Sequence, residues 1–104
     1  MSEYHLKVST PNGVVFDNKA ESLSAPGFSG SFGVLNNHAP MIAMIKNGPL
    51  FIRAGGQELH YAVSDGVVEV GEKTNVVVLV NDAVLAKSKE EASENAKKLQ
   101  SAFK

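Results

Sequence analysis

Three histidines, one Ser-Asp-Gly tripeptide, a glycine-spaced loop and a few carboxylates are the residues here whose types could do chemistry. His5, His38 and His60 stand far apart, each without a second ligand at metal spacing. A zinc centre needs three or four convergent ligands, so this spacing predicts no metal site. His5 and His60 fall in strand-like segments and read as polar residues on a solvent face. His38 lies between Asn37 and Ala39-Pro40, where it is expected both to brace a loop by hydrogen bonds and to face a partner. Ser64-Asp65-Gly66 could present a nucleophile, but Asp-Gly is first a turn dipeptide and the G-x-S-x-G elbow is missing. Gly27, Gly30 and Gly33 have the spacing of a phosphate cradle without its G-x-G start, its Gly-Lys-Ser/Thr end or a following helix pattern. Glu90, Glu91 and Glu94 read as capping and solvation of a helix, and Glu69 and Glu72 flank a turn. The pattern predicts no catalytic residue, no metal ligand and no cofactor.

The glycine loop suggests another use. Ala25 to Met41 carries glycines at every third position between Pro26 and Pro40. Glycine reaches positive φ without a Cβ penalty, and proline fixes φ while withholding a donor. Such a segment makes a shaped, exposed loop that a partner's backbone can approach. Phe28, Phe32, Val34 and Leu35 give it more apolar surface than a solvated linker carries. A docking surface is the expectation.

Size and composition bound the rest. A chain of 104 residues is one domain with one core. Its 43% hydrophobic content suits a globular protein, and no run approaches the ~20 apolar residues of a membrane span. Met-Ser-Glu-Tyr-His at the start has no secretory h-region. Cysteine is absent, which excludes disulfides and thiolate metal sites and fits a reducing compartment. Ten basic against eleven acidic residues, with no basic run, argue against nucleic-acid binding.

These residues must be positioned by short strands. Tyr4, Leu6 and Val8 alternate with His5, Lys7 and Ser9, the period of a half-buried strand. Pro11-Asn12-Gly13 reads as a hairpin turn, and the alternation resumes at Val14 and Phe16. Further breaks at Asn18-Lys19, Pro26-Gly27, Asn47-Gly48-Pro49, Gly55-Gly56, Ser64-Asp65-Gly66 and Gly71-Glu72 favour a sandwich or barrel over a βαβ fold. Val67-Val68 and Val76 to Val80 read as strands packed on both faces. After Asn81 the composition turns to Ala, Lys, Glu and Leu, without glycine or proline from Ala83 onward. Ser88 and Glu91 fit a capping box, and Ala92, Ala96, Leu99 and Phe103 share one helical face. That stripe is thin and alanine-rich, so weak docking of the helix is expected. The predicted fold is mainly β: an antiparallel β-sandwich of about ten short strands over residues 1–84, then one C-terminal α-helix over residues 85–104.

The glycine loop also carries a resemblance. Ala25-Pro-Gly27-x-x-Gly30-x-Phe32-Gly-Val-Leu35-x-x-His38-Ala-Pro40 resembles the epsilon subunit family of F-type ATP synthases. Three further stretches agree in order: Leu6 to Phe16, Gly48-Pro-Leu50 with Tyr61 to Val70, and Asn75 to Val80 leading into Ala83. Together they cover roughly residues 4 to 86. The resemblance implies a non-catalytic rotor subunit of the central stalk. It would join the gamma subunit to the c-ring and couple proton flow to ATP synthesis. Localisation would be peripheral, without lipid insertion, on the cytoplasmic face of a bacterial plasma membrane or its thylakoid equivalent. Carried over by position, Phe28, Ser29, Gly30, Ser31 and Phe32 would meet the c-ring, and Thr10, His38 and Ala43 would meet gamma. Family members often have an acid at the position of Ser31, which implies a less salt-dependent contact here. The family's two-helix C-terminal hairpin, which inhibits hydrolysis and in some members binds ATP, would be represented by one helix. Weak or lost inhibition is therefore expected.

A free-standing β-sandwich module for a small ligand or glycan is the alternative. It would need a concave apolar site. The absence of tryptophan and the presence of only two tyrosines argue against stacking on sugars.

Overall fold

The computed structural model describes residues 3–99. The strands are β1 (Tyr4–Thr10), β2 (Gly13–Ala20), β3 (Ser22–Gly27), β4 (Gly30–Leu35), β5 (Met41–Ile45), β6 (Gly48–Ala54), β7 (Gln57–Val63), β8 (Gly66–Val70), β9 (Val76–Val80) and β10 (Ala83–Ala86), followed by helix α1 (Lys89–Lys98). The alternation in β1 buries Tyr4, Leu6 and Val8 and exposes His5. Its hairpin to β2 is held by Thr10, whose hydroxyl accepts from the Asn12 amide and donates to the Gly13 carbonyl, both at 3.1 Å. Gly13 has φ +135°, a conformation that suits glycine.

The strands form one continuous order, β10-β7-β6-β3-β5-β8-β9-β1-β2, with β4 attached to β3. The order folds over into two layers where Gly27 of β3 pairs with Ile45 of β5. Every pairing is antiparallel except that of β1 with β9, which is parallel. Leu6, Val8, Val68, Val70, Val76 and Val78 from one layer meet Leu23, Val34, Leu50, Ile52 and Val63 from the other. Two phenols tie the layers further. Tyr4 donates to the Val34 carbonyl at 2.7 Å, and Tyr61 to the Val15 carbonyl at 3.4 Å.

The strand and helix composition predicted from sequence matches this architecture, with three local differences. Residues 76–80 were expected to be covered on both faces. Only Val76, Val78 and Val80 are buried, while Leu79 stands 51% exposed, because none of the described residues forms a layer over that side. The strands continue to Ala86 rather than residue 84, and the helix occupies Lys89–Lys98. Phe103 of the expected helical stripe lies outside the described residues.

His60 is the third difference. It points away from the core, as expected, but α1 packs over β6, β7 and β10 and covers it. Its ring meets Phe51 edge-on at 5.3 Å between centroids, and its side chain is only 15% exposed. Lys89 places its ammonium 5.4 Å from the centre of the same Phe51 ring. Ser88 caps α1 by accepting from the Glu91 amide at 3.1 Å. Glu91 completes the box one residue early, its Oε1 accepting from the Lys87 amide at 3.2 Å. Ala92 and Ala96 are the buried residues of the helix, and their small side chains let it lie close to the sheet.

Two measurements check this packing. A Cβ on Gly66 would stand 2.0 Å from the Leu79 carbonyl oxygen, whereas one on Gly33 meets nothing nearer than 3.6 Å. Gly66→Ala should therefore lower unfolding stability by about 3 kcal/mol. Gly33→Ala should change it by less than about 0.5 kcal/mol. The second is a pH profile. Burial pushes the Tyr4 phenol well above its ordinary range and raises Tyr61 as well. Unfolded phenols ionise near pH 10 while the folded ones stay protonated, so stability is full below that pH and falls as pH climbs past it. Tyr4→Phe should flatten that alkaline loss and remove about 1 kcal/mol of stability at neutral pH through the lost hydrogen bond.

Candidate functional site

Strand geometry turns two surfaces outward. At the first, β3 and β4 form a hairpin whose loop is Phe28-Ser29, closed by the pairing of Gly27 with Gly30. The turn is too tight for a side chain at Gly27, where a Cβ would lie 2.7 Å from the Gly30 carbonyl oxygen and 2.9 Å from the Phe32 ring. Its two aromatics do different work. Phe32 packs against the core, while Phe28 is 58% exposed at the tip. Phe28, Ser29, Gly30, Ser31 and Phe32 line one concavity together with Ala43 and Met44 of β5. All five residues assigned to the c-ring from sequence thus converge, and Ala43, assigned to gamma, joins them.

The second surface is the outer face of the β5-β8-β9-β1-β2 layer. Register aligns Met44 with Val67, Val67 with Leu79, Leu79 with Ser9, and Ser9 with Val14. Met44, Leu79 and Val14 are each about half exposed, and Ile42 beside them is 71% exposed. Such a row is more apolar than an isolated surface residue requires. Thr10 lies at one end of this layer, in a concavity with Leu79, Val80, Asp65 and Gly66. His38 lies beyond the opposite end, in the turn from β4 to β5. Its Nδ1 donates to the Ala39 carbonyl at 2.6 Å, the bracing half of its expected role. Asn37 before it adopts φ +67°.

Sequence reasoning did not pick out Ile42, Met44, Leu79 or Val14. The signal was present in the apolar runs 41–45 and 76–80, but the second was read as packed on both faces and the first was not read as a strand. No group of three or more His, Asp or Glu residues converges among the described residues. His5 pairs with Asp17 at 2.6 Å on the exposed β1–β2 ribbon. Among the described residues no helix is long and apolar enough to cross a membrane.

Residues 3–86 match the family model described as "ATP synthase, Delta/Epsilon chain, beta-sandwich domain". An ATP synthase epsilon chain of Sulfurovum sp. (strain NBC37-1) is 36% identical over an alignment covering 92% of this chain and 81% of that relative. This chain spans only about half the length of two epsilon chains from Rhodopseudomonas palustris strains, 54% in each case. Among solved structures, a chain of the Euglena gracilis mitochondrial ATP synthase (OSCP/F1/c-ring) superposes with TM-score 0.76 at 20% identity, over 82% of this chain and 54% of that one. One from the Tetrahymena thermophila mitochondrial ATP synthase (central stalk/c-ring) gives 0.69 at 17%, over 80% and 66%. At those identities the superpositions speak to the fold.

The division of labour within the hairpin is open to test. Phe28→Ser should leave the melting temperature within about 1 °C of the parent's, because a surface substitution rarely exceeds about 0.5 kcal/mol. Phe32→Ser, which strips an aromatic from the edge of the core, should lower stability by about 2 kcal/mol or more. Equal losses would show that the tip is core and not a docking surface.

Proposed function

This chain belongs to the ATP synthase delta/epsilon chain family, and on that premise we propose that it is a non-catalytic rotor subunit joining the gamma subunit to the c-ring. The observation that carries this reading is the uncovered apolar side of β9 and its neighbours. An antiparallel sheet with one wet face normally alternates polar and apolar residues. Here the outward positions are Met44, Val67 and Leu79, flanked by Ile42 and Val14, so the face is built to be covered. A row of that kind suits the flank of a long partner such as gamma. Thr10 and His38 then fall at the two ends of the contact.

The β3–β4 hairpin supplies a second, smaller surface for the polar loops of the c-ring, through Phe28 to Phe32. Its contact residues carry no formal charge, so its grip depends little on salt. Packed two-layer cores transmit strain instead of absorbing it, which is what a part carrying torque needs. The fold shared with chains of two solved assemblies, one of OSCP, F1 and c-ring and one of central stalk and c-ring, supports the same placement by analogy. Through such an assembly the chain would act in coupling proton flow to ATP synthesis, peripheral to the membrane. A small-ligand module would need a deep apolar pocket, and the concavities described here are open at the surface.

The test is pull-down with gamma. Leu79→Asp places a charge in the centre of the face and should weaken gamma binding at least about tenfold, the effect of losing a central contact, and Met44→Asp at its β5 end should weaken it less. Their thermal stability should stay near the parent's. Cysteine cross-linking should join Ser31→Cys to the c-ring and His38→Cys to gamma. Cross-linking of position 31 to gamma, or of position 38 to neither partner, would refute the assignment.

A further inference from the structure

We infer that Asn47 links the docking of α1 to the geometry of the Thr10 concavity, so that occupancy of that concavity and the docked helix favour one another. The identity of the occupant rests on the rotor reading above, whereas the linkage itself belongs to the isolated chain.

Asn47 occupies the short turn between β5 and β6 and uses both ends of its side-chain amide. The nitrogen donates to the Leu99 carbonyl at 2.8 Å and to the Ala96 carbonyl at 3.4 Å. A helix cannot pair all of its last carbonyls by itself; here Ala96 also accepts from the Leu99 amide at 3.2 Å, and Asn47 adds a donor to that carbonyl and to the Leu99 carbonyl beyond it. The amide oxygen accepts from the backbone N–H of Asp65 at 3.0 Å. Asp65 is in turn bound to the β9–β10 connection: its carbonyl accepts from the Asn81 amide at 3.2 Å, and the adjacent Ser64 amide donates to the Asp82 carbonyl at 3.0 Å. Asp65, Gly66, Leu79 and Asn81 are walls of the concavity that holds Thr10. The path from the helix end to that concavity therefore runs through one planar group with a bond at each side.

Planarity makes the two bonds interdependent. With α1 docked, its carbonyls orient the amide and present the oxygen to Asp65. Without the helix, the amide regains rotational freedom and the Asp65 N–H faces an acceptor that nothing holds. Alanine packing on its own gives α1 a thin seam, with Ala92 and Ala96 its buried residues. The Asn47 bonds are thus a large share of what fixes the helix end. Coupling of this kind is reciprocal, and one or two net hydrogen bonds correspond to about a fivefold effect.

Amide hydrogen exchange on the full 104-residue chain reads the linkage directly. Ala92→Asp drives a charge into the buried seam and undocks α1 while leaving Asn47 intact. The Asp65 amide should then exchange about fivefold faster, with the Leu6 and Val78 amides unchanged. Asn47→Asp is the isosteric second arm. It keeps an acceptor for Asp65 but sets a negative charge against the C-terminal carbonyls, so amides of α1 should lose protection while the sandwich does not. Unchanged Asp65 exchange in Ala92→Asp, or unchanged helix protection in Asn47→Asp, overturns the proposal. Titration with gamma adds a separate readout, in which Ala92→Asp should bind about fivefold more weakly than the parent. Equal affinities overturn the link to the concavity. Failure of the parent itself to bind gamma refutes the rotor reading and leaves the exchange result standing on its own.

Discussion

A two-layer sandwich can hide only one side of each strand, and β9 is apolar on both. Alternation sends Val76, Val78 and Val80 into the core and leaves Val77 and Leu79 on the other side. Burial of the first set stabilises the fold at about 25 cal/mol per Å² of apolar surface, and the outward set cannot contribute until something covers it. Much of what distinguishes this molecule follows from that constraint. The neighbouring strands repeat it, since Met44 and Val67 lie in register with Leu79. The opposite layer meets the same problem differently. Its outer side at Phe51 and His60 is roofed by α1, with the Lys89 ammonium over the Phe51 ring.

The two outward surfaces have different characters, and each follows from local chemistry. The hairpin is narrow because Gly27 permits backbone approach that a side chain would block, and its apolar exposure is concentrated in Phe28 at the tip. The sheet face is broad and nearly continuous, interrupted by Ser9 and bordered by Glu69 and Lys7 in the adjoining row. A narrow, uncharged tip and a wide apolar flank suit two partners better than one.

Much of this was legible in the chain. The Asn12-Gly13 turn and the Ser88–Glu91 cap rest on contacts between near neighbours in sequence, and the alternation of Tyr4, Leu6 and Val8 follows from strand geometry; the turn and the alternation are found as read, and the cap with its Glu91 bond shifted to Lys87. The glycine loop was legible because its residue types have few other uses. What escaped was whatever depends on which layer covers which. Residues 76–80 look identical whether the second side meets protein or water, so Leu79 was taken as internal. His60 carries the period of an exposed strand residue, yet a helix from the far end of the chain covers it. Asn47 read only as a turn residue, since its partners at Asp65, Ala96 and Leu99 are brought to it by the fold alone.

The parallel alignment of β1 with β9 has a consequence for biosynthesis. Leu6 pairs with Val76 and Val8 with Val78, so β1 finds its inner neighbour only after β2 to β9 have all been synthesised. Until then β1 can form no more than its ribbon with β2, which by itself is marginal in water. Closure must bridge every strand from β2 to β8, the kind of long-range step that makes folding slow. Until β9 emerges the nascent chain exposes the inner edge of β1, and that interval is when it most needs a chaperone.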